Sequence, residues 1–345
     1  MHAMERSVYF AGIVNLVILL SLSACGESGG GSSTSIDNDT ANNSPLLVVD
    51  SGNGVVASVP SESTITIEQS VKILSSDYTF GKGIALDATS DELYVNLAYP
   101  ISQINVFSHA TELVDNISPS RSISLNIQNL SEIQDLVLDT SNDRLYVLAS
   151  TIYEGVVAVL DNVSQMSGDI TPTRLITHLG RANVAIDLQR GILYNKSGSI
   201  VGGTIHAYDN LDSLNGDVDQ NNVRMILIGS SQNISGLAID SIHDRLYAAE
   251  SGMGIRIIEQ ASTTGFIFST DPFQYLYPPL IPLPEALFDG NRLAYDANND
   301  RLYAGFGPFI YSFNQVSEID LSNPLANALT IEAPEGAKVG GFAFP

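Results

Sequence analysis

Five times along this chain an apolar run ends on an aspartate that is followed seven residues later by a tyrosine. The copies are Asp87 to Tyr94, Asp139 to Tyr146, Asp187 to Tyr194, Asp240 to Tyr247 and Asp296 to Tyr303. Successive aspartates stand 52, 48, 53 and 56 residues apart. Each unit is too small to bury its own apolar face, so neighbours must stack. A period near 50 with strand-like content predicts a β-propeller with one four-stranded blade per repeat.

Each copy has a mechanical reading. A short apolar run such as Leu136-Val137-Leu138 forms the innermost strand. The residue two before the aspartate is small (Ala85, Val137, Ala185, Ala238, Ala294, Ala343), which suits strands crowded round an axis. The aspartate ends the strand and starts an Asx-type turn such as Ser141-Asn142-Asp143. Leu-Tyr then opens the second strand, and a third and fourth follow variable loops. Gln189-Arg190-Gly191 departs from the Asn-Asp-Arg turn.

The ends complete the count. Leu46–Val49, Gly54–Val59 and Ile65–Leu74 resemble second, third and outer strands without an inner one. Gly340–Phe344 resembles an inner strand and nothing else. The expectation is an all-β, six-bladed β-propeller over 46–345, its N-terminal blade closed by the C-terminal strand. That closure would remove two sheet edges.

The Asp-x-x-x-Asp-Arg-Leu-Tyr-Val pattern, followed by a strand and Asp-Asn, resembles the YVTN and NHL type β-propeller repeats of bacterial surface and periplasmic proteins. The resemblance covers about residues 46–345 and implies architecture more than activity, because this fold hosts lactonases, lyases, scaffolds and ligand binders.

Residues 1–24 read as a signal peptide, with an apolar run from Val8 to Leu22 that is short for a membrane span. Leu22-Ser23-Ala24-Cys25 matches a bacterial lipobox. The match implies that Cys25, the chain's one cysteine, carries acyl chains and anchors the protein to a membrane. It implies a cell-envelope lipoprotein, at the outer membrane facing periplasm or surface if the source has two membranes. Residues 25–45 are rich in Gly, Ser, Asn and Asp and predict a flexible tether. A net charge of −23 argues against nucleic acid, which needs clustered Lys and Arg. A single cysteine excludes an internal disulfide and a cysteine-built zinc site.

Candidate chemistry is sparse. The aspartate pairs recur in nearly every repeat and read as turn devices, whereas calcium takes about six to eight oxygens. Asp217-Val218-Asp219-Gln220-Asn221 opens like an EF-hand loop, but Asn222 and Ile228 stand where Gly and Glu are needed. The histidines His109, His178, His206 and His243 show no metal-like spacing. The segment 273–288 is apolar and Pro-rich, and reads as a partner patch or an elongated outer strand.

In propellers the loops leading into the inner strands line one mouth of the central channel. Here they carry Lys82, Gln134, Asp135, Arg181, Asn183, Asn233, Ser235, Asn291, Arg292 and Lys338. Basic residues gathered there on an acidic chain would form a positive funnel for a small anionic ligand. They would oppose a calcium-dependent lactonase. The sequence therefore predicts a monomeric, membrane-anchored binding or scaffold module without metal or cofactor, for an envelope protein or a small anion. The alternative is an envelope hydrolase or lyase acting at the channel mouth.

Overall fold

In the computed structural model the described residues are 46–50, 55–59, 80–97, 103–110, 118–180, 184–196, 204–218, 223–227, 234–250, 254–265, 274–276, 292–306, 309–319, 328–332 and 339–344. Contacts divide the chain into Met1–Ala41 and Asn42–Pro345, and the fold is that of the second unit. The signal peptide, Cys25, the tether and the expected outer strand at 65–74 lie outside the described residues. Among the described residues no helix is long and apolar enough to cross a membrane.

The strands begin with β1 (Leu46–Asp50) and β2 (Val55–Val59). They continue with β3 (Phe80–Asp87), β4 (Glu92–Leu97), β5 (Gln103–Ser108) and β6 (Arg121–Leu125). Next come β7 (Leu130–Asp139), β8 (Arg144–Thr151), β9 (Gly155–Asp161), β10 (Gly168–Ile170) and β11 (Arg174–Leu179). After them are β12 (Val184–Asp187), β13 (Ile192–Lys196), β14 (Thr204–Tyr208), β15 (Gly216–Asp217) and β16 (Arg224–Leu227). Then follow β17 (Ile234–Asp240), β18 (Arg245–Glu250), β19 (Gly254–Glu259) and β20 (Gln274–Leu276). The last are β21 (Arg292–Asp296), β22 (Arg301–Phe306), β23 (Phe309–Asn314), β24 (Ala328–Glu332) and β25 (Val339–Ala343).

The strands form six sheets. Sheet 1 is β2-β1-β25, sheet 2 is β10-β6-β5-β4-β3 and sheet 3 is β15-β11-β9-β8-β7. Sheet 4 is β12-β13-β14-β16, sheet 5 is β17-β18-β19-β20 and sheet 6 is β21-β22-β23-β24. The all-β propeller expectation stands. The blade count needs correction: among the described residues the sheets with the four strands of a whole blade number five, not six. Sheet 1 is built from two distant parts of the chain and shows three strands. In it β25 runs antiparallel to β1, with Leu47 opposite Ala343 and Val48 opposite Phe342.

The repeat's Leu-Tyr step is explained by stacking. Adjacent strand residues point to opposite faces, and a middle strand of a blade has a neighbouring sheet on both. Leu93, Leu145, Leu193, Leu246 and Leu302 are buried on one face, and Tyr94, Tyr146, Tyr194, Tyr247 and Tyr303 on the other. Apolar clusters lie between consecutive sheets. Tyr146 meets Leu193 between sheets 3 and 4, and Tyr194 meets Leu246 between sheets 4 and 5. Sheet 1 packs through Leu47 on Leu93 of sheet 2, and through Val48 on Tyr303 of sheet 6.

The aspartates behave as turn devices. The first caps its turn: Asp87 accepts from the Thr89 and Ser90 N–H groups, and Asp296 from those of Asn298 and Asn299. The second lies in the left-handed region, at φ 48° for Asp143, 57° for Asp244 and 47° for Asp300. It reaches back to a serine after the third strand, with Asp143 accepting from Ser164 Oγ at 2.7 Å and Asp244 from Ser262 Oγ at 2.7 Å. Gly191 takes the same left-handed place (φ 64°), and its carbonyl still accepts from the Leu211 N–H. The departure at 189–191 thus keeps the turn and loses only the carboxylate.

Two further devices join neighbouring blades. Short β10, from the loop after β9, pairs in parallel with β6 of the preceding sheet, and β15 pairs in the same way with β11. They cover outer edges that would otherwise be open. An arginine at the start of the outer strands β6, β11 and β16 reaches the other way. Arg121 donates to the Val163 and Met166 carbonyls, Arg174 to those of Leu211, Asp212 and Leu214, and Arg224 to those of Ala261 and Thr264. Charged hydrogen bonds of this kind are worth about 1.5–3 kcal/mol each. Arg174→Met is expected to lower unfolding stability by about 2 kcal/mol, read as a lower urea midpoint at unchanged slope. A midpoint equal to wild type would remove the clip from the account.

Candidate functional site

The inner strands β3, β7, β12, β17, β21 and β25 surround a cavity of about 360 Å³. Its lining reaches past the ends of these strands, to Leu188, Ser241 and Phe344. Leu86, Leu138, Ile186, Ile239, Tyr295 and Phe344 are among its lining residues. Leu188 belongs to the lining and is partly exposed, and Ile242, next to the lining residue Ser241, is 60% exposed. The side chains named at this mouth are therefore apolar apart from Ser241 and the Tyr295 hydroxyl.

The other end, where the loops enter the inner strands, is narrow. Gln134, Asp135, Leu148, Val184, Gly236, Leu237, Arg292 and Leu293 leave about 10 Å³ between them, room for roughly one water. Arg292 accounts for the constriction. From sheet 6 its guanidinium spans to sheet 3, donating to the Gln134 carbonyl at 2.8 Å and lying 3.6 Å from the Asp135 carboxylate.

The sequence-predicted site residues are only partly gathered. Gln134, Asp135 and Arg292 converge as just described. Lys82 stands apart, paired with Glu132 at 3.0 Å. Ser235 donates to the Ala249 carbonyl at 3.3 Å. Arg181, Asn183, Asn233, Asn291 and Lys338 lie outside the described residues, as does most of the apolar segment 273–288. Both described cations at this end have a carboxylate partner, which lowers the positive potential expected there.

Burial pushes the Asp135 carboxyl up from its ordinary value, while Arg292 and the Leu136 N–H draw it back. A folded-state pKa above the unfolded one means that the folded chain holds this proton more tightly. The stability so gained is present below the ordinary carboxylate value of 3.8 and is lost as pH rises through the raised one. Asp135→Asn is expected to flatten the fall of stability as pH rises above the ordinary carboxylate value of 3.8. Urea unfolding of both proteins across that range checks it, and parallel pH curves would contradict it.

Sequence reasoning missed the apolar mouth. A signal was present: Leu86, Leu138, Ile186, Ile239 and Tyr295 each stand immediately before the repeat's first aspartate. It also missed that His243 meets Asp240 and, from the next sheet, Asp300. Asp217 of the EF-like segment is taken up by Thr177 Oγ1 at 2.6 Å and His178 Nδ1 at 2.9 Å, which ties β15 to β11.

No family model and no curated protein matches the sequence. The fold is widely shared, with 961 chains of solved structures matching. One, from the crystal structure of a nidogen/laminin complex, has a TM-score of 0.58 at 14% identity, over 87% of this chain and 98% of that one. At that identity the likeness carries the fold and no activity. The chain is thus similar to known β-propellers in architecture.

Proposed function

We propose that this protein is a membrane-tethered binding module of the cell envelope, a six-bladed propeller whose apolar mouth receives a protein partner. The observation that carries the reading is the asymmetry of the channel: a cavity of about 360 Å³ lined mostly by apolar side chains, and an arginine across one end. Exposed Leu188 and Ile242 extend the apolar surface at the wide mouth. Rigid scaffolds with apolar, partly exposed openings suit a partner that presents an aliphatic or aromatic side chain. A similar propeller fold occurs in a complex between two proteins.

Sheet 1 is the sixth blade in this reading, and the β1–β25 pairing closes the ring. The lipobox and the Gly/Ser/Asn/Asp segment supply the anchor and the tether. Among the described residues the channel lining holds one carboxylate, Asp135, already engaged by Arg292 and the Leu136 N–H. That favours binding over metal-dependent hydrolysis, which needs several converging ligands. The small-anion reading is the weaker one, because Lys82 and Arg292 are both paired.

A photo-reactive residue in place of Leu188 in the full chain, expressed in intact cells, should trap a discrete larger species. The same residue in place of Met225, exposed on an outer strand, should not. Recovery of monomer alone from both would count against the reading. Acyl labelling of wild type and Cys25→Ser tests the anchor separately, since equal labelling would rule it out.

A further inference from the structure

His243 lies in the first turn of sheet 5, with its Nδ1 2.7 Å from Asp240 Oδ2. Asp300, from the same turn of sheet 6, joins them, and ligand atoms of the three lie within 4.8 Å of one another. Asp240 is buried and Asp300 partly so, while the His243 side chain is 41% exposed, so solvent can reach the group.

The preceding boundary fills the same place differently. There Arg190 stands at the position of His243, Asp187 at that of Asp240 and Asp244 at that of Asp300. Arg190 donates to Asp187 Oδ2 at 3.0 Å and to the Ser241 carbonyl at 2.5 Å, with its Nε 3.9 Å from Asp244. At one boundary the fold therefore sets a permanent cation between the two carboxylates. At the next it sets an imidazole, with Asp300 held from its own side by the Ser317 N–H and Oγ.

Two tyrosines stand beside the group. Tyr247 is 0% exposed, and its hydroxyl lies beside the Arg245 guanidinium, which also donates to the Ser317 carbonyl. Burial raises its pKa most, followed by the charge of Asp240, then Arg245 acting oppositely, then Asp300. Tyr295 packs on Tyr247 with ring centroids 5.9 Å apart and donates to Asp300 Oδ1 at 3.0 Å. Asp240 is held by the Ile242 and His243 N–H groups. Outer partners of this kind orient ligating carboxylates.

We propose that a divalent first-row transition ion of the zinc class binds between sheets 5 and 6, ligated by Asp240, His243 and Asp300. The ion does at this boundary what the Arg190 guanidinium does at the other. An imidazole with carboxylates suits zinc, whereas calcium wants about six to eight oxygens. Three protein ligands leave a position for water.

The test is calorimetric titration of the full chain with zinc sulfate and, separately, calcium chloride, with Co²⁺ absorption as a check on imidazole ligation. One zinc per chain and a rise in melting temperature are expected, with no comparable calcium isotherm. His243→Arg, His243→Gln and Asp300→Asn should each weaken zinc by at least about 100-fold. His243→Arg should melt, without metal, near the zinc-loaded wild type, because it restores the arrangement at Arg190. The proposal is overturned if wild type takes up no stoichiometric zinc. It is equally overturned if His243→Gln and Asp300→Asn bind zinc as wild type does.

Discussion

Glu250→Gln is expected to lose about 3–5 kcal/mol of stability, seen as a drop of roughly 6–10 °C in melting temperature. Glu250 ends β18 and Arg256 lies on β19, and both side chains are at most 2% exposed. Arg256 donates to both Glu250 oxygens, from Nε and, at 3.0 Å, from Nη2. Either single replacement leaves the other charge buried without its counter-ion, which costs far more than the pair contributes. The double variant Glu250→Leu with Arg256→Met removes both charges and should recover much of the loss. Thermal unfolding of the two single variants and the double decides it. A double variant no better than the worse single one would mean that packing, not stranded charge, sets the cost.

Asn96→Leu should cost about 2–4 kcal/mol, the sum expected for stranding two buried main-chain groups. Asn96 on β4 is 1% exposed. Its Oδ1 accepts from the Gly83 N–H at 2.5 Å, and its Nδ2 donates to the Ile133 carbonyl at 3.3 Å on β7 of the next sheet. The space is equally committed, since a Cβ on Gly81 would lie 1.9 Å from Asn96 Nδ2. Leucine matches asparagine in length but offers neither donor nor acceptor. Urea unfolding measures the loss, and hydrogen exchange at Gly83 should quicken with it. A change under 1 kcal/mol would show that the two main-chain groups find other partners.

The parts of this fold that could be read from sequence are those a single repeat contains. Asp87, Asp139, Asp187, Asp240 and Asp296 make their turns with residues two or three places on, so local order sufficed. The Leu-Tyr step was readable because burial on both faces leaves no polar alternation. The β1–β25 pairing was foreseeable because one end lacked the strand that the other supplied. The blade count was only partly met, because sheet 1 shows three strands.

Contacts between repeats were harder to see. Arg121, Arg174 and Arg224 recur 53 and 50 residues apart, yet their acceptors are main-chain carbonyls, which every residue has. Arg292 meets the Gln134 carbonyl 158 residues away, and no local pattern joins them. His243 is unique to its copy, and its meaning depends on Asp300, one repeat later. For the site itself, Gln134, Asp135 and Arg292 of the expected set meet at the narrow end of the channel. The pairing of Lys82 with Glu132 and of Arg292 with Asp135 is a tertiary fact that no local pattern announces.

The stitches between sheets all run one way along the chain. Sheet 2 is edged by β10 and clipped through Arg121 to residues that follow β9, and sheet 3 waits in the same way for β15 and the carbonyls from Leu211 to Leu214. Sheets 2 and 3 are therefore unfinished when their own fourth strands have been made, and complete only once the next repeat's third strand has passed. Emerging from a ribosome or a translocation pore, such a chain would carry one provisional blade at its leading edge, locked in turn by its successor. A cut between β9 and β11 would loosen the blade before the cut as well as the one that contains it.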